Sequence, residues 1–284
     1  QDELKRFYGS FSNPYLKLLL HSMLESMYDP SLPNFSRDGF INDVPLDQAF
    51  EDYKRVNQRL AQSLVALARK MHRPRIFFQN FHFFMAPAYL RTFGADWPIS
   101  QFLHVTWPTP DYVQARAPLP LVREILYGML ASDEIGFLAD NDAKNFLDCC
   151  ERFLGLRVDR LESSMDWKGR KVYVRVNPIS IDITENRDRA LSLEVAKDFE
   201  RIRRHYAGRK MIVKFERVDM TKGIKEALLS FRELLKAHPE VAGKAAMYCA
   251  LKIHRPDLEI YRRLVTELEG LTREINREFS PSVT

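Results

Sequence analysis

Apolar side chains recur along this chain with two periods, and the alternation between them outlines its elements. From residue 46 to residue 70, Phe50, Tyr53, Val56, Leu60, Leu64 and Leu67 fall three and four residues apart, the spacing that lines one side of an α-helix. Asp47, Glu51 and Asp52 near its start, and Arg69 and Lys70 at its end, suit the helix dipole. Short apolar runs then alternate with helical patterns: a run at 75–81 before a helix over 85–93, a run at 99–105 before a helix over 121–130, and a run at 134–139 before a helix over 140–154. At 165–178 two alternating runs flank a Lys168-Gly169 pair, the pattern of a β-hairpin. A helix over 192–206, a strand over 211–215 with its helix, a strand over 244–251 and a last helix over 257–279 follow. Residues 1–43 read as irregular, with one helical piece over 14–28 and a tract of turn formers after it.

Strand and helix repeated at this spacing predict an α/β fold, a parallel sheet with helices on both faces. Ligands of such sheets sit beyond the carboxyl ends of the strands. The residues to inspect there are Gln79, Asn80, His82, His104, Trp107 and Asp140. A second set of elements begins after Pro178, which divides the chain into domains at 1–177 and 178–284. The most informative stretch lies in the second: a strand over 211–215, a turn with Arg217 and Lys222, and Gly223 opening a helix with Ile224, Leu228 and Phe231 on one side. Helix N-termini present unpaired N–H groups and the positive end of the dipole, so two cations at that mouth make a site for an anion such as a diphosphate.

Composition bounds the class without naming a function. The 284 residues, 45% of them hydrophobic, are enough for two domains with sizeable cores. A net charge of +5 is modest for 43 basic and 38 acidic side chains. No apolar run approaches the roughly 20 residues that cross a bilayer, and the start lacks the basic and apolar regions of a signal peptide. Three cysteines cannot frame a disulfide-built domain, so a cytoplasmic protein, neither membrane-bound nor secreted, is expected. Zinc-ligand spacing, a nucleophile elbow and a Walker loop are all missing. The basic run at 201–210 has no aromatic stacking set beside it and reads as a solvated helix end rather than a nucleic-acid site.

Seven stretches, in order, carry a resemblance: FSN (11–13), NFH within QNFHFF (80–82), FLHVTWPTPD (102–111), ILYGMLASDEIGFLADNDAKNFLDCC (125–150), NPISID (177–182), FERVDMTKGI (215–224) and RPDLEIYRRLVTELEGLTREIN (255–276). Together they resemble the trehalose-6-phosphate synthase family of retaining glycosyltransferases. The resemblance implies two Rossmann-like domains facing a cleft, the glycosyltransferase B arrangement, with the acceptor sugar phosphate on the first and the nucleotide-sugar donor on the second. It further implies that both are incomplete in this chain: the family's first strand and glycine loop would precede Gln1, and the base-binding part would follow Thr284.

By the same resemblance, Arg217 and Lys222 match the pair that grips the donor diphosphate, and His104 matches the histidine that meets the donor sugar. On the acceptor side the matching positions are Tyr8, Lys17, Asn80, Phe81 and Arg255. Here the chain departs from the family. Gln79-Asn80-Phe81-His82 stands where His-Asp-Tyr-His is usual, Lys17 replaces a tryptophan, and Ser180 replaces a glycine. Asn80 can hydrogen-bond but cannot carry charge or take a proton as the carboxylate would. The implied activity is transfer of glucose from a nucleoside diphosphate to a sugar phosphate, giving trehalose 6-phosphate, with no metal and no cofactor beyond the nucleotide sugar. A uridine, guanosine or adenosine donor, another acceptor (as in glucosylglycerol-phosphate synthases and pseudo-glycosyltransferases), a non-catalytic regulatory role and homo-oligomerisation all remain compatible.

Overall fold

The computed structural model describes residues 2–25, 40–41, 44–206, 208–253 and 259–279. Two compact units divide the chain, one up to Ile179 and the other from Ser180 onward.

The first unit begins with a helical run, which the sequence suggests only from Pro14 onward: α1 (Asp2–Arg6), a π-helical stretch (Phe7–Leu16) and α2 (Lys17–Leu20). Pro14 inside this run explains why the pattern hides the part before it. A proline ring collides with the carbonyl four residues back in an α-helix. The wider π turn, seen in the Lys17 N–H bond to the Ser12 carbonyl, makes room for it. Positions 26–28 of the expected helix lie outside the described residues.

A short antiparallel pair, β1 (Phe40–Ile41) and β2 (Val44–Pro45), leads into α3 (Leu46–Ala68). The buried side of α3 differs from the expected stripe. Ala49, Tyr53, Asn57, Ala61, Val65 and Ala68 face inward, while Leu67 is 57% exposed. Small side chains let α4 (Ala86–Thr92) approach closely, with Ala61 and Val65 packed in one cluster with Ala86 and Leu90. Leu60, Leu64 and Leu67 instead line a groove with Met71 and Phe77. Asp52, fully buried, accepts from Arg6 Nε at 2.5 Å and from Arg55, which ties the first helical run to α3.

Strands β3 (Ile76–Gln79), β4 (Ile99–Phe102), β5 (Glu134–Phe137), β6 (Val158–Asp159), β7 (Ser164–Trp167) and β8 (Arg170–Val176) form one sheet in the order β3-β4-β5-β8-β7-β6. The first four are parallel and the last two antiparallel, so the sheet is mixed, not wholly parallel. The expected hairpin is present as β7 and β8, turned by Lys168 (φ 48°) and Gly169 (φ 77°). Its second strand also extends the parallel sheet beside β5. Between the parallel strands run α5 (Pro110–Arg116), α6 (Leu119–Met129) and α7 (Asp140–Leu154). Of these three, α5 alone is absent from the sequence pattern, because Val113 is its single buried residue and no stripe announces it. Cys149 and Cys150 are both buried in α7, and burial pushes the Cys149 thiol up to about 12.

The second unit holds α8 (Ile183–Ala190), α9 (Leu193–His205), β9 (Lys210–Arg217), α10 (Ile224–Ala237), β10 (Ala245–Lys252) and α11 (Glu259–Glu278). β9 and β10 pair in parallel. Val218, Ile224, Leu228 and Leu235 form its core with Leu268 and Ile275 of α11. The basic end of α9 is solvated, with Arg201 paired to Asp198 and Arg203 to Glu200 one turn back.

Candidate functional site

In the first unit the polar side chains gather at the carboxyl ends of β3 and β4. β3 stops at Gln79 because Asn80 adopts φ 63°, ψ −162°, a backbone region that side chains resist. The Asn80 N–H donates to the Phe102 carbonyl at 2.6 Å, and the chain then enters a 3-10 turn over Phe81–Phe83. Two buried side chains of α3 hold this turn from beneath. Tyr53 Oη donates to the Phe81 carbonyl at 2.7 Å and accepts from the Phe84 N–H at 2.9 Å. Asn57 Nδ2 donates to the His82 carbonyl at 3.2 Å, and its Oδ1 accepts from the N–H groups of Met85 and Ala86. Burial drives the Tyr53 phenol far above its ordinary pKa, so it stays a donor. Tyr53→Phe strands two buried backbone groups and is expected to cost about 2 kcal/mol in urea unfolding, with the loss carried to the loop it braces.

Tyr8, Phe81 and His82 form one aromatic stack: the His82 ring lies 4.5 Å from Phe81 and 5.7 Å from Tyr8, centroid to centroid. Among the described residues, His82 Nε2 and Asn80 Oδ1 are buried with no hydrogen-bond partner. Buried polar atoms of this kind normally have one, and Trp107 Nε1 is another without one. Burial also lowers the His82 pKa. Below about pH 6.5 the unfolded chain therefore takes up a proton that the folded chain resists, and the stability due to neutral His82 fades as pH falls. His82→Phe is expected to flatten the decline in unfolding free energy between about pH 7 and pH 5.

His104 follows β4 and is exposed; its Nε2 sits 2.6 Å from Gln79 Oε1, and its ring meets Phe102 edge-on at 4.9 Å. The Phe102 ring lies across β5 only because residue 136 is glycine, where a Cβ would fall 2.6 Å from it. Lys17 stands half-buried at the start of α2, further along the same helical run as Tyr8. Trp107, by contrast, is structural: it is buried among Phe84, Phe137 and Phe146, with its backbone N–H bonded to Asp142. Asp140 is exposed at the first position of α7. Arg255 lies outside the described residues.

In the second unit β9 ends at the exposed Arg217. Val218 and the Asp219 side chain are buried, and the Asp219 carboxylate accepts from Thr221 N at 3.0 Å and Thr221 Oγ1 at 2.9 Å, closing a 3-10 turn over Met220–Lys222. Gly223 then takes the left-handed conformation (φ 55°, ψ 38°) and opens α10, whose N-terminus no side chain caps. Lys222 Nζ is 3.9 Å from Glu216 Oε2, and both side chains are about one-third exposed, so the pair is a weak one. Lys252 is an exposed third cation, set beside Arg217 by the parallel register of β9 and β10. The expected end of that strand at 251 left it out.

Among the described residues, no group of three His, Cys, Asp or Glu side chains is placed to hold a metal, and no helix is long and apolar enough to cross a membrane. A Rossmann-like sheet with polar side chains at its strand ends, followed by a strand–turn–helix unit with a basic mouth, defines an α/β protein of the glycosyltransferase B class. The sequence matches glycosyltransferase family 20 over residues 1–283, and the chain belongs to that family. It is 30% identical over 279 residues to an alpha,alpha-trehalose-phosphate synthase [UDP-forming] of Schizosaccharomyces pombe, covering 96% of this chain and 50% of the relative. Among solved structures, the synthase of Burkholderia xenovorans in complex with glucose-6-phosphate superposes with a TM-score of 0.80 at 25% identity, covering 98% of this chain and 58% of that one. A trehalose-6-phosphate synthase structure from E. coli bound with UDP-2-fluoro glucose does so with a TM-score of 0.79 at 26% identity, covering 98% and 57%. The chain thus spans about half the length of these relatives.

Proposed function

We propose that the protein is a retaining glycosyltransferase that moves glucose from UDP-glucose to glucose 6-phosphate and forms trehalose 6-phosphate. The observation that carries this reading is the turn of the second unit, where Arg217 ends β9 and Lys222 directly precedes Gly223 at the uncapped N-terminus of α10. Cleaving the bond between the sugar and the diphosphate leaves negative charge on the departing phosphate oxygen. Arg217 can take that charge with a forked pair of donors, Lys222 as a point charge, and the α10 dipole adds to both. Those groups fill the role a metal would otherwise play. Uridine and glucose 6-phosphate enter from the relatives, which are UDP-forming synthases and include a chain in complex with glucose-6-phosphate. In this reading the domain after Pro178 holds the donor and the one before it the acceptor. His104 meets the donor sugar, and Tyr8, Lys17, Asn80, Phe81 and Arg255 face the acceptor. A cytoplasmic setting goes with two phosphorylated metabolites as substrates.

One observation favours a second reading. Asn80 and Gln79 are amides where the family pattern has titratable groups, which suits a different acceptor or a regulatory paralogue that binds without transfer. Calorimetry on the whole protein tests the donor site: UDP is expected to bind, and absence of binding by UDP, GDP and ADP alike contradicts it. Donor binding with no diphosphate released across a panel of sugar phosphates supports the regulatory reading.

A further inference from the structure

We propose that Gln79 is a positioning residue for His104: it holds the ring with the proton on Nε2 and leaves Nδ1 as the ring's hydrogen-bond acceptor. This rests on the reading that His104 meets the donor sugar. Both side chains are exposed, and the sheet sets the backbones that carry them. Gln79 ends β3 in register with Phe102 of β4, two residues before His104, and the next N–H, that of Asn80, is bonded to the Phe102 carbonyl at 2.6 Å. Both backbones are therefore fixed where their side chains meet. The His104 ring also has the Phe102 edge against it at 4.9 Å, and Phe102 keeps that place over the bare Gly136.

Within this frame Gln79 Oε1 lies 2.6 Å from His104 Nε2. An amide oxygen only accepts, so the ring nitrogen facing it must carry a proton. In the neutral ring Nδ1 then has the free lone pair and can accept from a sugar hydroxyl. A glutamine does not titrate, so the tautomer it selects does not change with the charge of its partner, as it would beside a carboxylate or a second histidine. Turning the amide about would put its NH₂ against Nε2 and force the proton onto Nδ1; that arrangement is the competing one.

Long-range proton–nitrogen correlation spectra of the histidine rings decide between them. His104 is assigned by its loss in His104→Gln. The expected pattern in the unmodified protein, with no ligand, is a pyrrole-like Nε2 and a pyridine-like Nδ1; the reverse pattern overturns the proposal. At about pH 9, where a carboxylate is ionised and an imidazole is neutral, Gln79→Glu keeps an accepting oxygen and is expected to keep the pattern, while Gln79→Met is expected to mix the tautomers. An unchanged pattern in Gln79→Met also overturns it. In the transfer assay Gln79→Met is expected to lose about three- to tenfold in kcat, the range for one neutral hydrogen bond, with donor KM little changed and most of the loss restored in Gln79→Glu. Adding UDP-glucose separates this inference from the reading beneath it. If the expected tautomer is present but the His104 Nδ1 signal does not move, the hydrogen bond stands, His104 does not meet the donor, and the positioning role falls with it.

Discussion

Lys222→Ala is expected to cut turnover by two to three orders of magnitude while leaving the fold intact. A preorganised donor aimed at charge that develops in the transition state is worth about 3 to 4 kcal/mol, and Lys222 holds such a place at the mouth of α10. Its only described ion pair is the long one to Glu216 at 3.9 Å, and partly exposed pairs contribute about 0 to 1 kcal/mol to stability. The loss should therefore appear in kcat and in kcat/KM together, the sign of an interaction made in the transition state. Urea midpoints of variant and parent should nearly coincide. Arg217→Lys is a second probe of the same mouth, since it keeps the charge and removes the fork. An unchanged rate in Lys222→Ala removes Lys222 from the reaction.

Asn80 gives the second large effect, and it should move stability and activity in opposite directions. Its φ of 63° with ψ of −162° lies in a region that only glycine enters freely, at a cost of about 1 to 3 kcal/mol for other residues. Asn80→Gly relieves that strain and is expected to raise the unfolding free energy by about 1 kcal/mol. The same change deletes Oδ1, a buried atom with no partner among the described residues, and with it the acceptor contact proposed for Asn80. Acceptor kcat/KM is expected to fall by about tenfold or more. Asn80→Ala should lose the activity without gaining the stability. Equal stability of the glycine variant and the parent contradicts the strain, and equal activity contradicts the contact.

What could be read from the sequence follows from how local each feature is. α7 is legible because its signals lie within it: Asp140 and Asp142 at the start, an apolar stripe through Phe146 and Phe153, and Gly155 with φ 67° at the end. The strand–turn–helix around Lys222 is legible for the same reason, since turn, glycine and amphipathic helix are contiguous. The part of the first helical run before Pro14 is hidden by that proline, whose effect on an α-helix is prohibitive and on a π turn is not. Asp52 reads as a dipole-matched charge near the start of its helix, and nothing in the pattern singles out Asn57; both are buried, because the turn after β3 and Arg6 supply their partners. Gln79 against His104, and Lys252 beside Arg217, depend on which strand lies next to which. No periodicity along one strand encodes its neighbour.

Transfer by the whole protein, with UDP-glucose as donor and glucose 6-phosphate as acceptor, tests the proposed activity most directly. UDP release and the anomeric proton signals of the product would be followed together. UDP release is expected to depend on glucose 6-phosphate, and the product to have both sugars α-linked through their anomeric carbons. UDP release that ignores the acceptor, or a β-linkage at the transferred glucose, contradicts the proposed activity.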